Sequence, residues 1–116
     1  MKKFFVAACI ATASTAPAFA EGSFETGNAV LAKLKGDSVG KFGAVAYLAG
    51  MTTVLRETGG IGGQKEICVP DGVTHGQVID AIQREIEQNV TTRHYLTLLL
   101  AHNAMTKYWP CTAGAL

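Results

Sequence analysis

The chain has 116 residues, a formal net charge of +1 and three cysteines, and 48% of its residues are hydrophobic, which suits one domain with a modest core. Charges of both signs are scattered along it, and no basic stripe or arginine-rich arm forms, so a nucleic-acid-binding face is excluded. The longest apolar run beyond the N-terminus, Phe42 to Leu55, holds 14 residues between Lys41 and Arg56, short of the about 20 that a membrane helix needs.

Residues 1–20 read as a cleaved signal peptide. Lys2 and Lys3 form a positive start, Phe4 to Ala16 an apolar stretch, and Ala18-Phe19-Ala20 supplies the small residues at −3 and −1, which predicts cleavage after Ala20. Val6-Ala7-Ala8-Cys9 loosely resembles a lipobox, but only Phe4 to Ala8 would precede its cysteine, too short an apolar segment. Cleavage would remove 20 of 116 residues and leave 96, and losing Lys2 and Lys3 would take the charge from +1 to −1. The expected location is the periplasm, with no membrane insertion after cleavage. Cys9 would leave with the peptide. Cys68 and Cys111 remain, and two cysteines in an oxidising compartment are most simply one disulfide.

Glu21 to Thr26 is a polar lead-in. Asn28 can cap a brief helix carrying Val30, Leu31 and Leu34, which Gly36 stops. Asp37 or Ser38 can cap the next helix, running to about Arg56. Its centre, Gly43 to Gly50, is apolar on nearly every face, which predicts a helix in the middle of a bundle. Tyr47 would then be core, and Gly50 would let a neighbouring helix approach. Four glycines in Thr58 to Gln64 break the helix. Thr74 with Gln77 forms a capping box, the hydroxyl and the amide satisfying each other's backbone donors. Behind it Val78, Ile79, Ile82 and Ile86 recur at helical spacing. After a break at Asn89 to Thr92, Thr91 or Thr92 would cap a last helix that carries Tyr95, Leu96, Leu98, Leu99, Leu100, Met105 and Tyr108 and ends at Trp109-Pro110. The expected fold is all-α: a small bundle of about four helices over residues 21–116, closed by one disulfide.

Chemistry is harder to find. His94 and His102 would lie eight residues apart on one helix, about 12 Å along its axis, too far to share an ion. No zinc spacing occurs, so neither a metal nor another cofactor is expected. Glu85 and Glu87 are two apart on a helix and diverge, which makes them a solvated face rather than an acid/base pair. Gly59-Gly-Ile-Gly-Gly-Gln-Lys65-Glu66 lacks the ending of a phosphate-binding loop and follows a helix, not a strand. It remains either a plain connector or a loop that offers backbone donors to a partner. With no catalytic constellation, the expectation is a binding or structural module and not an enzyme.

Tyr47-Leu-Ala-Gly50, then Cys68-Val-Pro-Asp-Gly-Val-Thr74-His-Gly-Gln77, then Trp109-Pro-Cys111 resemble in order and spacing the Rap/Tai family of type VI secretion immunity proteins. The likeness covers roughly Gly27 to Cys111, with Tyr47, Gly50, Pro70, Gly72, Thr74, Gln77, Trp109 and Pro110 as its structural motif residues. It departs at a second cysteine pair, replaced here by Leu34 and Ala44, and at a proline that is Val90 here. The resemblance implies a periplasmic inhibitor, in several members a homodimer, that plugs a peptidoglycan-cutting amidase with a loop. On composition the candidate contact residues are Gly59, Gly60, Ile61, Gly62, Gly63, Gln64, Lys65 and Glu66. The competing expectation is a small periplasmic helical chaperone or stress protein, which would need an exposed apolar surface.

Overall fold

The computed structural model describes residues 25–112; the predicted signal peptide and its cleavage site lie outside the described residues. Four helices follow in order, α1 Gly27–Leu34, α2 Ser38–Thr58, α3 His75–Gln88 and α4 Thr97–Tyr108, so the expected all-α bundle is what the chain builds. The most extensive pairings are α3 with α4 and α1 with α2. Val30, Leu48, Ile82, Ile86 and Met105 from the four helices, with Ile67 from the segment before α3, are almost wholly buried in one core. Each such side chain stabilises by about 1.5–3 kcal/mol.

The cap of α1 is Thr26, not Asn28: its Oγ1 accepts from Ala29 N at 3.3 Å. The reason is tertiary. Gly27 N donates to Tyr95 O at 3.0 Å and Asn28 N to Arg93 O at 2.8 Å, so the segment before α4 satisfies the first free donors of α1. The same contact moves the start of α4. Thr97 is fully buried, and both its backbone N and its Oγ1 donate to Glu25 O at 2.9 Å. A helix beginning at Thr92 would draw residues 93–96 away from α1. Instead Val90–Thr92 form a 3₁₀ turn, Thr92 Oγ1 donates back to Asn89 O, and α4 begins at Thr97 with no side-chain cap. Tyr95 and Leu96 therefore lie outside the helix.

Asp37 caps α2 as expected, accepting from Gly40 N at 2.8 Å, and Gly59 ends it in the left-handed conformation, its N–H bonded to Leu55 O. The placement of α2 corrects the sequence reading. Only one stripe, Ala44, Leu48, Thr52 and Leu55, is fully buried, Met51 packs partly buried beside it, and the opposite side with Val39, Phe42, Gly43 and Gly50 is exposed. With only α1, α3 and α4 to pack against, α2 buries one side and leaves the other uncovered. By length and composition α2 could cross a membrane, at 21 residues and a hydropathy of 1.2 over its most apolar window. Its charge-free centre nevertheless spans only the stretch between Lys41 and Arg56.

The capping box of α3 is complete: Thr74 N donates to Gln77 Oε1 at 2.8 Å and Gln77 N to Thr74 Oγ1 at 3.3 Å. Past α4, Cys111 is bonded to Cys68, with a Cα–Cα separation of 5.0 Å. Cys68 N donates to Trp109 O at 2.9 Å and Cys111 N to Glu66 O at 3.1 Å, so the staple sits on two short chains already held side by side. Leu34 and Ala44 are both buried in the core.

Candidate functional site

The segment Gly59 to Glu66 is a loop with a fixed base and an open tip. Gly59 O accepts from both Glu66 N (2.7 Å) and Ile67 N (2.8 Å), which clamps the two ends together. Thr58 Oγ1 adds a bond to Gly60 O at 3.1 Å. Gly59 and Gly60 have φ of 76° and 142°, and a Cβ at Gly59 would meet Lys65 Cγ at 2.6 Å, so the clamp depends on glycine there. At the tip, Gly62 and Gly63 face open space and Ile61 is 47% exposed. None of the backbone N–H groups from Gly60 to Lys65 has an acceptor among the described residues. They stand free for a partner's carbonyl or carboxylate groups.

The structure divides the eight candidate residues into a presenting part and a holding part. Ile61, Gly62, Gly63 and Gln64 form the exposed tip. Lys65 folds back over Gly59, and the Glu66 carboxylate lies 2.9 Å from His102 Nε2 on α4. That histidine nitrogen is sealed from solvent and finds no hydrogen-bond partner, so the contact is a close approach and not a well-formed hydrogen bond. Lys65 and Glu66 lie at the base of the loop and are themselves exposed.

Of the motif residues, Pro70, Thr74, Gln77, Trp109 and Pro110 hold a turn, a helix cap and the stapled segment. Pro70 O accepts from Val73 N and from the Arg56 guanidinium, which also reaches Val73 O at 3.2 Å. Arg56 on α2 thereby fixes the Pro70–Val73 turn that leads to the Thr74 cap. Gly72, within that turn, has nothing near its missing Cβ. Trp109 packs against the core, and Pro110 pairs with Ile67 in an isolated bridge beside the disulfide. Tyr47 and Gly50 depart from expectation: Tyr47 is 38% exposed and a Cβ on Gly50 would meet nothing within 4 Å, because both point off the uncovered side of α2. That side also shows Val39, Phe42 and Val54 to solvent.

Sequence reading missed several ties. The Arg93 guanidinium donates to Ile86 O at 2.9 Å and to Glu87 O, closing the free carbonyl end of α3. Glu85 and Glu87 diverge as expected, yet each is engaged. Glu85 takes Lys107 Nζ at 2.9 Å, and Glu87 takes Lys35 Nζ at 3.3 Å. The Gln83 hydrogen bond, then Lys35, hold the Glu87 carboxyl below its ordinary range. The bond to Glu85 raises Lys107. Burial, followed by the charge of Glu25, pushes the Tyr47 phenol up. His94 lies in the turn before α4, edge-on to Tyr95 at 4.6 Å between ring centroids, so it does not share a helix with His102. No group of three His, Cys, Asp or Glu side chains that could hold a metal occurs among the described residues.

A stapled helical scaffold that clamps the base of a glycine loop and presents its tip defines a small binding module. The chain belongs to the family of Rap1a immunity proteins, whose model matches residues 5–111. No curated protein and no solved structure matches it.

Proposed function

We propose that this chain is a periplasmic immunity protein that binds a peptidoglycan amidase delivered by type VI secretion and blocks it without turnover, with the tip Ile61 to Gln64 entering the enzyme's cleft. Membership of an immunity family supports a toxin as the partner. The observation that carries the loop assignment is the contrast between its clamped base and its unpartnered tip amides. A pre-closed base limits the ordering entropy paid on binding, about 1–2 kcal/mol for each residue fixed, to the few tip residues. The export pattern of residues 1–20 and the single disulfide support the periplasmic location.

The test is to replace Gly59–Gly63 by two glycines and measure affinity for the amidase together with protection of cells. Helical circular dichroism should change little, and affinity should fall by orders of magnitude.

The uncovered side of α2 supports a second element of the proposal, that the protein works as a homodimer. An apolar face this large would also suit a helical chaperone, which would hold many unfolded clients; an immunity protein meets one toxin. Size-exclusion chromatography with light scattering decides whether two copies associate.

A further inference from the structure

The glycines around Ile61 differ in what requires them. Gly59 is required by the approach of Lys65, and Gly63 by a φ of 78°. Gly60, at a φ of 142°, is seated against α4: a Cβ there would meet His102 Nε2 at 3.2 Å and Gln64 O at 3.5 Å. Gly62 has no such requirement inside the chain. Its φ is not positive, and a Cβ would meet nothing within 4 Å. Alanine would fit there and would lose less backbone freedom on folding.

Ile61 stands between the seated Gly60 and the bare Gly62. It is the only apolar side chain between Thr58 and Ile67, and it is 47% exposed. Its branched Cβ already restricts χ1, so holding it in a slot removes little freedom. Gly62 and Gly63 put no side chain beside it that would keep a wall at a distance. The unpartnered N–H groups of Gly60 to Lys65 lie along the same ridge. A surface that matches this ridge is a narrow apolar slot with carbonyl or carboxylate oxygens at its mouth. The slot takes the isoleucine, and the oxygens take N–H groups that would otherwise be stripped of water and left unpaired.

We infer that the partner grips the loop at Ile61–Gly62, with the Ile61 side chain in a narrow apolar slot and the slot wall against the bare Gly62 backbone. The inference rests on the loop reading above and names the contact that selects the partner. Single substitutions at these two exposed positions test it, each titrated against a purified type VI amidase effector beside the parent and the variant with Gly59–Gly63 cut to two glycines. Ile61→Val removes one methylene and should weaken binding roughly tenfold. Ile61→Ala should weaken it about thirtyfold or more, the scale of an interface hot spot. Gly62→Ala should weaken binding by at least about tenfold, the scale of one misfitted methyl group, while its Tm stays level or rises slightly. Such a loss of affinity without loss of stability can come only from a surface outside the chain. If the shortened loop abolishes binding but Ile61→Ala or Gly62→Ala binds like the parent, the grip is overturned and the loop reading stands. A parent that does not bind, or a shortened protein that binds like it, removes the loop reading and the grip with it.

Discussion

Gly27→Ala tests how α1 is held on the bundle. Alanine is ordinarily the better helix residue, and losing glycine's unfolded-state freedom stabilises by about 0.4–1 kcal/mol where the site tolerates a side chain. This site does not. A Cβ would lie 2.5 Å from Leu100 Cδ1, 2.9 Å from Arg93 O and 3.4 Å from Ile86 Cγ2. The leucine methyl can rotate away. Arg93 O cannot yield cheaply, since it also accepts from Asn28 N at 2.8 Å and belongs to the segment that α1 and α4 share. Overpacking of this kind costs about 1–3 kcal/mol, so after the entropic gain the net loss should be about 1–2 kcal/mol. For a domain of this size that lowers Tm by about 4–8 °C per kcal/mol. Thermal unfolding followed by far-ultraviolet circular dichroism reads it directly. An unchanged or raised Tm would refute the idea that Gly27 is required by close approach, and with it the tertiary reason for the Thr26 cap.

Gly50→Ala should behave oppositely: with no atom near its Cβ, it should stabilise the helix by up to about 1 kcal/mol in urea titration, and a loss would put Gly50 in a packed site. Cys111→Ser opens a closure of 43 residues and should cost about 4 kcal/mol of unfolding free energy, while unreduced mass spectrometry of the parent should find no free thiol at Cys68 or Cys111. Because the folded carboxyl of Glu87 sits below its ordinary range, its contribution is present above the unfolded value and lost as pH falls through the lower folded one. Glu87→Gln should therefore flatten the acid limb of the stability profile, and since the group is exposed, added salt should shrink the difference. Lys107 is raised, so its tie to Glu85 should persist below the ordinary lysine range and fade only as pH climbs through the raised value, which Lys107→Met would abolish.

Local signals in this sequence are strong where short-range chemistry decides. The Thr74–Gln77 box, the Asp37 cap, the glycine stop after Thr58 and the bonding of Cys68 to Cys111 each follow from a few adjacent residues or from elimination, and each is present. Where distant parts of the chain decide, the pattern misleads. The start of α4 is delayed to Thr97 because residues 93–97 bond to the chain around α1, some seventy positions earlier in the case of Thr97 and Glu25. Apolar composition alone placed α2 at the centre; only the count and lengths of the other helices leave its Gly43–Gly50 side bare. The candidate loop was visible as composition. Its clamped base and open tip were not, since these depend on Gly59 O and on the approach of Glu66 to His102, neither of which any local motif marks.

The central claim is that the tip of the Gly59–Glu66 loop inhibits a peptidoglycan amidase by occupying its cleft. The most direct measurement is calorimetric titration of the protein, and of the variant with Gly59–Gly63 cut to two glycines, into a purified type VI amidase effector while peptidoglycan cleavage is followed. The account predicts tight, saturable binding and full inhibition by the parent, with both lost by orders of magnitude in the shortened protein although its helices are intact. Equal affinity and inhibition from the two proteins would contradict it.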